Sequence, residues 1–99
     1  MFVIRDIMYC KPGQVRPLVE KFKSLSKLMK KKGMGSMRLM TDVCAERYWT
    51  VVSEMEVESI EEFAKMSRES MKEKDFQKIM KDYHDYVQNG RREIYMLEK

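Results

Sequence analysis

The sequence predicts an α+β fold with the element order β-α-β-β-α-β, a ferredoxin-like sandwich. Two observations predict it. Four stretches of the chain alternate their side chains with a period of two, which is typical of strands. Two longer stretches between them carry apolar residues at helical spacing. Two strand–helix–strand units with right-handed crossovers then give an antiparallel four-stranded sheet, in the order 4-1-3-2, with both helices on one face.

Length and composition are those of one folded domain, which we expect to span residues 1–99. Hydrophobic residues make up 43% and charged residues 36%, so a disordered chain is not expected. No apolar run approaches the roughly 20 residues of a membrane span, and the N-terminus lacks the pattern of a signal peptide. We therefore expect a cytoplasmic protein with no membrane association. Cys10 and Cys44 lack metal-ligand spacing, so two free thiols and no metal site are predicted.

The first strand is predicted over residues 1–10, and Lys11-Pro12-Gly13 ends it because proline cannot donate to a ladder. One of its faces holds Phe2, Ile4, Asp6, Met8 and Cys10. A helix follows from Gln14 to Gly33. Its apolar stripe consists of Val15, Leu18, Val19, Phe22, Leu25, Ser26 and Met29.

A second strand is predicted over residues 37–43 and a hairpin loop over 42–46. The third strand, residues 48–57, has the highest density of β-branched and aromatic residues, and both of its faces are apolar in the first half. This pattern predicts an interior strand. One face would hold Trp49, Val51, Ser53, Met55 and Val57.

The last third of the chain is predicted to be helical over residues 60–88, with a break near 72–75 where the pattern is polar. Ser59 and Glu62 have the spacing of a capping box at its start. Asn89-Gly90 predicts a turn, and residues 91–97 a closing strand.

The sheet face away from the helices has no cover in this topology. We expect it to hold Val3, Ile7, Tyr9, Tyr48, Val52 and Ile94. A contiguous apolar sheet face marks an interface, and the simplest cover is a second copy of the chain. A homodimer is therefore predicted, with Tyr9, Tyr48 and Tyr95 in its packing.

Three local patterns resemble the dimeric α+β barrel superfamily. Lys11-Pro12-Gly13 leads from a strand into an amphipathic helix, Asp75-Phe76-Gln77 resembles the break in the second helix, and residues 88–94 resemble the turn into the last strand. The chain looks most similar to NIPSNAP-like and antibiotic biosynthesis monooxygenase-like proteins. This resemblance implies sheets that face each other across a dimer, and ligands held between the sheet and the helices of one subunit.

Asp6 and His84 are the candidate catalytic residues. Asp6 stands on the face of the first strand that points to the helices, so it needs either a salt-bridge partner or a ligand cavity. His84, the only histidine, borders the apolar stripe of the last helix and is either a surface residue or an acid/base group. The haem-degrading branch resembles this pair loosely. However, Asp6 replaces an amide there and His84 comes about one turn late, so no cofactor is predicted.

Met8, Tyr83 and Trp49 are the candidate ligand-binding residues, with Trp49 expected in the core or in a pocket wall. Neither Cys10 nor Cys44 lies in a sequence motif that is typical of a catalytic nucleophile. Residues 1–50 carry eleven Lys and Arg against four Asp and Glu, and most of the excess lies in the first helix. Because no aromatic residues alternate with these lysines, we expect a solvated face and no nucleic-acid partner.

The function that these observations favour is the binding of a small, largely apolar molecule by a homodimer. The resemblance implies cofactor-independent monooxygenase or isomerase chemistry if the protein is an enzyme, and the sequence does not decide whether it is one. The alternative is a non-catalytic ligand-binding or assembly module.

Overall fold

The computed structural model describes residues 1–98. Its elements are as follows: β1 Phe2–Cys10, α1 Val15–Lys31, β2 Arg38–Thr41, β3 Thr50–Val57, α2 Ile60–Met71, α3 Lys74–Met80, α4 Tyr83–Tyr86 and β4 Val87–Met96. The strands form one antiparallel sheet in the order β2-β3-β1-β4, which confirms the predicted order. No helix in the described part of the chain is both long and apolar enough to cross a membrane.

The main core lies between α1 and the middle of the sheet. Leu18, Val19, Phe22 and Leu25 of α1 are buried, as the helical stripe predicts. They pack against sheet residues from three strands, namely Met8, Cys10, Val51 and Val87. Burying an aliphatic or aromatic side chain contributes about 1.5–3 kcal/mol, so this cluster fixes α1 against the sheet.

The helical segment after β3 is divided more finely than its periodicity indicates. The predicted break is confirmed, because α2 ends at Met71 and α3 begins at Lys74. Ser59 caps α2 as expected, its Oγ accepting a hydrogen bond from the Glu62 amide at 3.2 Å. The helical region ends at Tyr86, so its predicted end at residue 88 was two residues too late.

The predicted turn at Asn89-Gly90 is wrong. β4 begins at Val87 and includes both residues, with Asn89 opposite Tyr9 and Gly90 opposite Met8 on β1. A Cβ on Gly90 would lie 2.5 Å from the carbonyl oxygen of Ile7. Glycine is thus required here for close approach of two strands rather than for a reversal of the chain.

The predicted start of the third strand is also wrong by two residues. Trp49 has a φ of +61°, a left-handed conformation that is outside the strand range. The loop ends at the next residue, Thr50, whose amide donates a hydrogen bond to Asp42 Oδ1 at 2.9 Å and so joins the two ends of the hairpin. The loop between β2 and β3 therefore spans residues 42–49 rather than 42–46.

The sheet face opposite the helices, which we call the open face, follows from the strand register, since paired residues point to the same side. It carries Val3, Arg5, Ile7, Tyr9, Met40, Val52, Glu54, Arg91, Glu93 and Tyr95. Two expected members are absent. Ile94 pairs with Ile4 and lies on the helix face, and Tyr48 belongs to the loop, where it is 86% exposed.

Candidate functional site

A cavity of about 560 Å³ lies between the helix face of the sheet and the helices. It exists because the helices pack unequally: α1 buries four residues, whereas α2 contains no buried residue. Phe63, Met66 and Ser67 of α2 line the cavity instead of filling it. The molecule thus holds an opening where a fully packed interior would have few voids larger than a water molecule.

Methionine dominates the apolar wall of this cavity. Seven of the eleven methionines line it, namely Met8, Met29, Met34, Met37, Met55, Met66 and Met80. They come from β1, α1, the loop that follows it, β3, α2 and α3. Because methionine is unbranched and polarizable, such a wall can adapt to ligands of different shapes.

Asp6 is the carboxylate of the cavity wall, and its partner is Arg92. The Arg92 Nε donates to Asp6 Oδ1 at 2.6 Å and Nη2 donates to Oδ2 at 3.1 Å. The two residues face each other in the β1–β4 register, and both line the cavity. The alternatives left open for Asp6, a salt bridge or a position in a cavity, are therefore both realised.

Tyr83 and His84 meet the same cavity from α4. Their rings are in edge contact with centroids 5.2 Å apart, and Tyr83 also contacts Phe22 of the core. Burial raises the pKa of the Tyr83 hydroxyl, and the negative charge of Asp6 raises it further. Tyr83 is thus a neutral hydrogen-bond donor at physiological pH, while His84 is exposed at the cavity edge.

Four of the five sequence-predicted site residues come together here, and one does not. Asp6, Met8, Tyr83 and His84 all line the cavity. Trp49 does not line it, and its side chain is 43% exposed in the 42–49 loop. The expectation of a core or pocket-wall tryptophan is corrected by this loop, because the left-handed backbone at Trp49 ends the strand alternation.

Both cysteines are free thiols, as expected. Cys10 is buried in the core, where burial raises the pKa of its thiol, with a further contribution from the Asp42 charge. Thiolate formation is thus disfavoured at Cys10. Cys44 is exposed in the 42–49 loop. Within residues 1–98 no group of three His, Cys, Asp or Glu residues could hold a metal ion.

The sequence reasoning missed Arg92 as a site residue. Its signal was present, since Arg92 alternates with Ile94 and Met96 and so is a charge on an otherwise apolar face. An opposite charge on the neighbouring strand, Asp6, stood at the matching place on the same face. Phe63 was also missed, although its ring lies 5.2 Å from the Arg92 guanidinium carbon and supports it by a cation–π contact.

The open face carries a connected set of charges among its apolar residues. Glu54 is buried and accepts from the guanidinium groups of Arg5 and Arg38. The Arg91 Nη1 donates to the Tyr9 hydroxyl at 2.6 Å, and Arg47 from the 42–49 loop lies 4.4 Å from the Tyr9 ring centroid. The charges of this face are thus paired, while Met40 and Tyr95 remain 41% and 49% exposed.

The lysines of α1, together with Lys32 directly after it, are either paired within the chain or exposed to solvent. Lys32 pairs with Glu73, and the Lys21 ammonium donates to the Ile79 carbonyl. Lys23, Lys27, Lys30 and Lys31 are exposed to solvent. This arrangement agrees with the expected solvated face.

Comparison with known proteins gives a result for structure alone. No protein-family model matches the sequence, and no curated protein matches it. Among solved structures, an uncharacterized NIPSNAP-like domain protein from Burkholderia xenovorans superposes with a TM-score of 0.85 at 13% identity, over 99% of this chain and 85% of that one. A NIPSNAP family protein from Agrobacterium tumefaciens gives 0.85 at 9% identity, over 99% and 93%.

A second group of similar structures has a name that refers to enzymes. An antibiotic biosynthesis monooxygenase superposes with a TM-score of 0.73 at 12% identity, over the whole of both chains. Identities this low establish the fold and not the activity. The resemblance predicted from the sequence is thereby confirmed: the chain has the ferredoxin-like fold shared by NIPSNAP-like and antibiotic biosynthesis monooxygenase-like proteins.

Proposed function

We propose that this protein binds a small, largely apolar molecule in the cavity between its sheet and its helices. The observation that carries the proposal is the cavity itself, about 560 Å³ with a methionine-rich wall and one ion pair, Asp6–Arg92. Its volume falls within the range of about 300–1,000 Å³ that is typical of ligand pockets. Met8 and Tyr83 would contact the ligand, with the apolar wall supplying most of the affinity.

The direct test is native mass spectrometry of the protein purified from its own host, where a retained ligand adds to the mass. A second test titrates the uncharged dye Nile red into the purified protein. In the variant Ser67→Phe a ring replaces a half-buried hydroxyl of the cavity wall, so dye binding should weaken at least tenfold. Ser24→Phe makes the same change on the exposed side of α1 and should leave binding unchanged. Equal dye binding by both variants would refute the cavity as the binding site.

The best-supported activity, if the bound molecule is transformed, is cofactor-independent oxygenation or isomerisation. Two observations support it: ionisable groups from Asp6, Tyr83 and His84 line the cavity, and similar structures include one named as an antibiotic biosynthesis monooxygenase. His84 is exposed at the cavity edge and is the better candidate for a proton acceptor, because Asp6 is committed to Arg92. The competing assignment is a non-catalytic ligand-binding or assembly module.

Recovery of the retained ligand separates these two assignments. After aerobic incubation with fresh protein, an enzyme yields a product with added oxygen or an isomer of the ligand, and His84→Gln slows that conversion. A binding module returns the ligand unchanged. Conversion that is equally fast in His84→Gln would remove His84 from the chemistry.

We further propose that the protein is a homodimer that pairs through the open face. Met40 and Tyr95 support this assignment, because both are exposed on this face, opposite Val52 and Val3 respectively. Its charges do not oppose it, because Glu54 and Glu93 pair with the arginines beside them. Burying paired charges costs less than burying single ones.

A further inference from the structure

The cavity wall contains the guanidinium group of Arg92, which protein groups hold in place on two sides. Asp6 takes the Nε and Nη2 donors of Arg92 in a bidentate ion pair. The Phe63 ring packs at 5.2 Å from the guanidinium carbon. A long arginine side chain that is fixed by a carboxylate and an aromatic ring has already lost much of its rotamer freedom, so it can bind a further group at a lower entropic cost.

The remaining edge of Arg92 has no acceptor in the described part of the chain. Arginine offers five N–H donors, and Asp6 uses one on Nε and one on Nη2. The second Nη2 hydrogen and one Nη1 hydrogen form the Nη1–Nη2 edge, and the other Nη1 hydrogen points back towards Cδ. The neighbouring Arg91 differs, since its Nε donates to Glu93 and its Nη1 to Tyr9 on the open face.

We propose that the ligand of this cavity is an apolar carboxylic acid, bound as its carboxylate by the Nη1–Nη2 edge of Arg92. This inference rests on the proposed binding function and names the chemical class of its ligand. Two parallel N–H donors match the two oxygens of a carboxylate, as in other bidentate arginine pairs. Tyr83 lines the same cavity and would supply an additional donor through its hydroxyl, while the methionine wall would receive the apolar part.

Asp6 does not repel such a ligand strongly. Both of its oxygens accept from Arg92, so the pair is close to neutral, and the guanidinium donors that remain lie on the edge away from Asp6. Asp6 is therefore a positioning residue in this assignment and Arg92 is the anchor. A cationic ligand would instead have to compete with Arg92 for the Asp6 carboxylate.

The test compares three probes that share a ten-carbon chain: decanoate, decanol and decylammonium. Each is used to displace Nile red at pH 7.4 from the purified wild-type protein. We expect decanoate to displace the dye at a concentration about tenfold lower than either of the others, the size of a charge-assisted hydrogen-bond pair in a partly exposed site. Arg92→Gln should abolish this preference, whereas Arg16→Gln, an exposed change on α1, should retain it.

Arg92→Lys keeps the positive charge and removes the fork, so it should lose most of the preference for decanoate. A full preference in Arg92→Lys or in Arg92→Gln would overturn the assignment, as would equal displacement by the three probes in the wild type. Equal displacement would still leave the apolar cavity as a binding site. Failure of all three to displace the dye would instead refute the proposed function, and the carboxylate assignment with it.

Discussion

Gly90 is the residue at which β4 depends most on the absence of a side chain. A Cβ at this position would lie 2.5 Å from the Ile7 carbonyl oxygen and 3.3 Å from the Met8 Cα, and backbone atoms cannot move aside cheaply. We expect Gly90→Ala to lower the free energy of unfolding by about 1–3 kcal/mol, the usual cost of overpacking. Urea denaturation measures it. Gln88→Ala, an exposed change on the same strand, should cost less than half as much.

Glu54 makes the stability of the protein depend on pH. Its hydrogen bonds to Arg38 and then to Arg5 lower the pKa of its carboxyl group below the usual value. Because the pKa is lower in the folded state, the stabilisation is fully present above the unfolded-state pKa of about 4.3 and is lost as the pH falls through the folded-state pKa.

The corresponding experiment follows urea midpoints from pH 7 down to pH 3 at fixed protein concentration. The wild type should lose stability over the acidic part of this range more steeply than Glu54→Gln, which has no carboxylate to protonate there. Glu69→Gln changes an exposed glutamate of α2 and should follow the wild type. Parallel curves for Glu54→Gln and the wild type would contradict this role of Glu54.

Single residues also set the limit of what the sequence could predict about the site. The positions of Asp6, Met8, Tyr83 and His84 on one cavity follow from strand alternation and helical spacing, which are local patterns. The Asp6–Arg92 pair joins residues 86 positions apart, so it depends on the β1–β4 register, which no local pattern fixes. The prediction for Trp49 was wrong although it rested on a local pattern. The left-handed backbone of this one residue interrupts the alternation that continues in β3.

Among the helices, α2 is the longest one without a buried residue. Its N-terminus depends on the Ser59 cap and on Glu61 and Glu62 in its first turn. Removal of the cap by Ser59→Ala should cost about 0.5–2 kcal/mol. Because few buried contacts oppose local opening, much of this cost should appear as faster hydrogen exchange of the α2 amides.

Hydrogen exchange followed by mass spectrometry makes the comparison peptide by peptide. In Ser59→Ala the amides of α2 should exchange several-fold faster while those of α1 stay unchanged. Ser24→Ala is the control, since Ser24 is exposed and its hydroxyl donates only to the Glu20 carbonyl of the same helix, α1. A uniform increase across all helices would show that α2 opens only with the whole molecule, contrary to this expectation.

Element boundaries were predicted less well than the elements themselves. The alternation of β1 and the apolar stripe of α1 were sufficient to predict these two elements, because both pack against the core along most of their length. β4 was predicted too short because Asn89-Gly90 is a strong local turn signal. Ladder pairing with Tyr9 and Met8 outweighs that signal, and only the tertiary structure supplies the pairing.

On the scale of the whole molecule, the connectivity was predictable and the size of the cavity was not. Four period-two stretches and two helical stretches leave few right-handed arrangements, and the sheet order follows from them. The cavity depends on how far α2 stands from the sheet. That distance is set by many side-chain contacts together. The feature of the sequence that pointed to a cavity was the abundance of methionine.

Self-association through the open face can be tested by a single substitution that introduces a charge there. Met40→Glu places a carboxylate on this face at a position that is 41% exposed in the single chain. In a twofold interface the substitution acts twice, so we expect the variant to be monomeric at a micromolar concentration at which the wild type is expected to be dimeric. Light scattering gives both masses. Met71→Glu, a change at an exposed residue at the end of α2, should remain dimeric, and a monomeric wild type would refute the homodimer.

The chain contains one tryptophan, and it stands in the 42–49 loop rather than in the cavity. Three residues of that loop border the same depression of the open face as Ile7 and Tyr9, namely Ala45, Glu46 and Arg47. Indole fluorescence follows the polarity around the ring, so a second sheet that covers this loop would shift the emission to shorter wavelength. Ligand entry on the other side of the sheet would leave it unchanged. Trp49 would thus be an optical reporter of the proposed pairing, and it would not respond to the contents of the cavity.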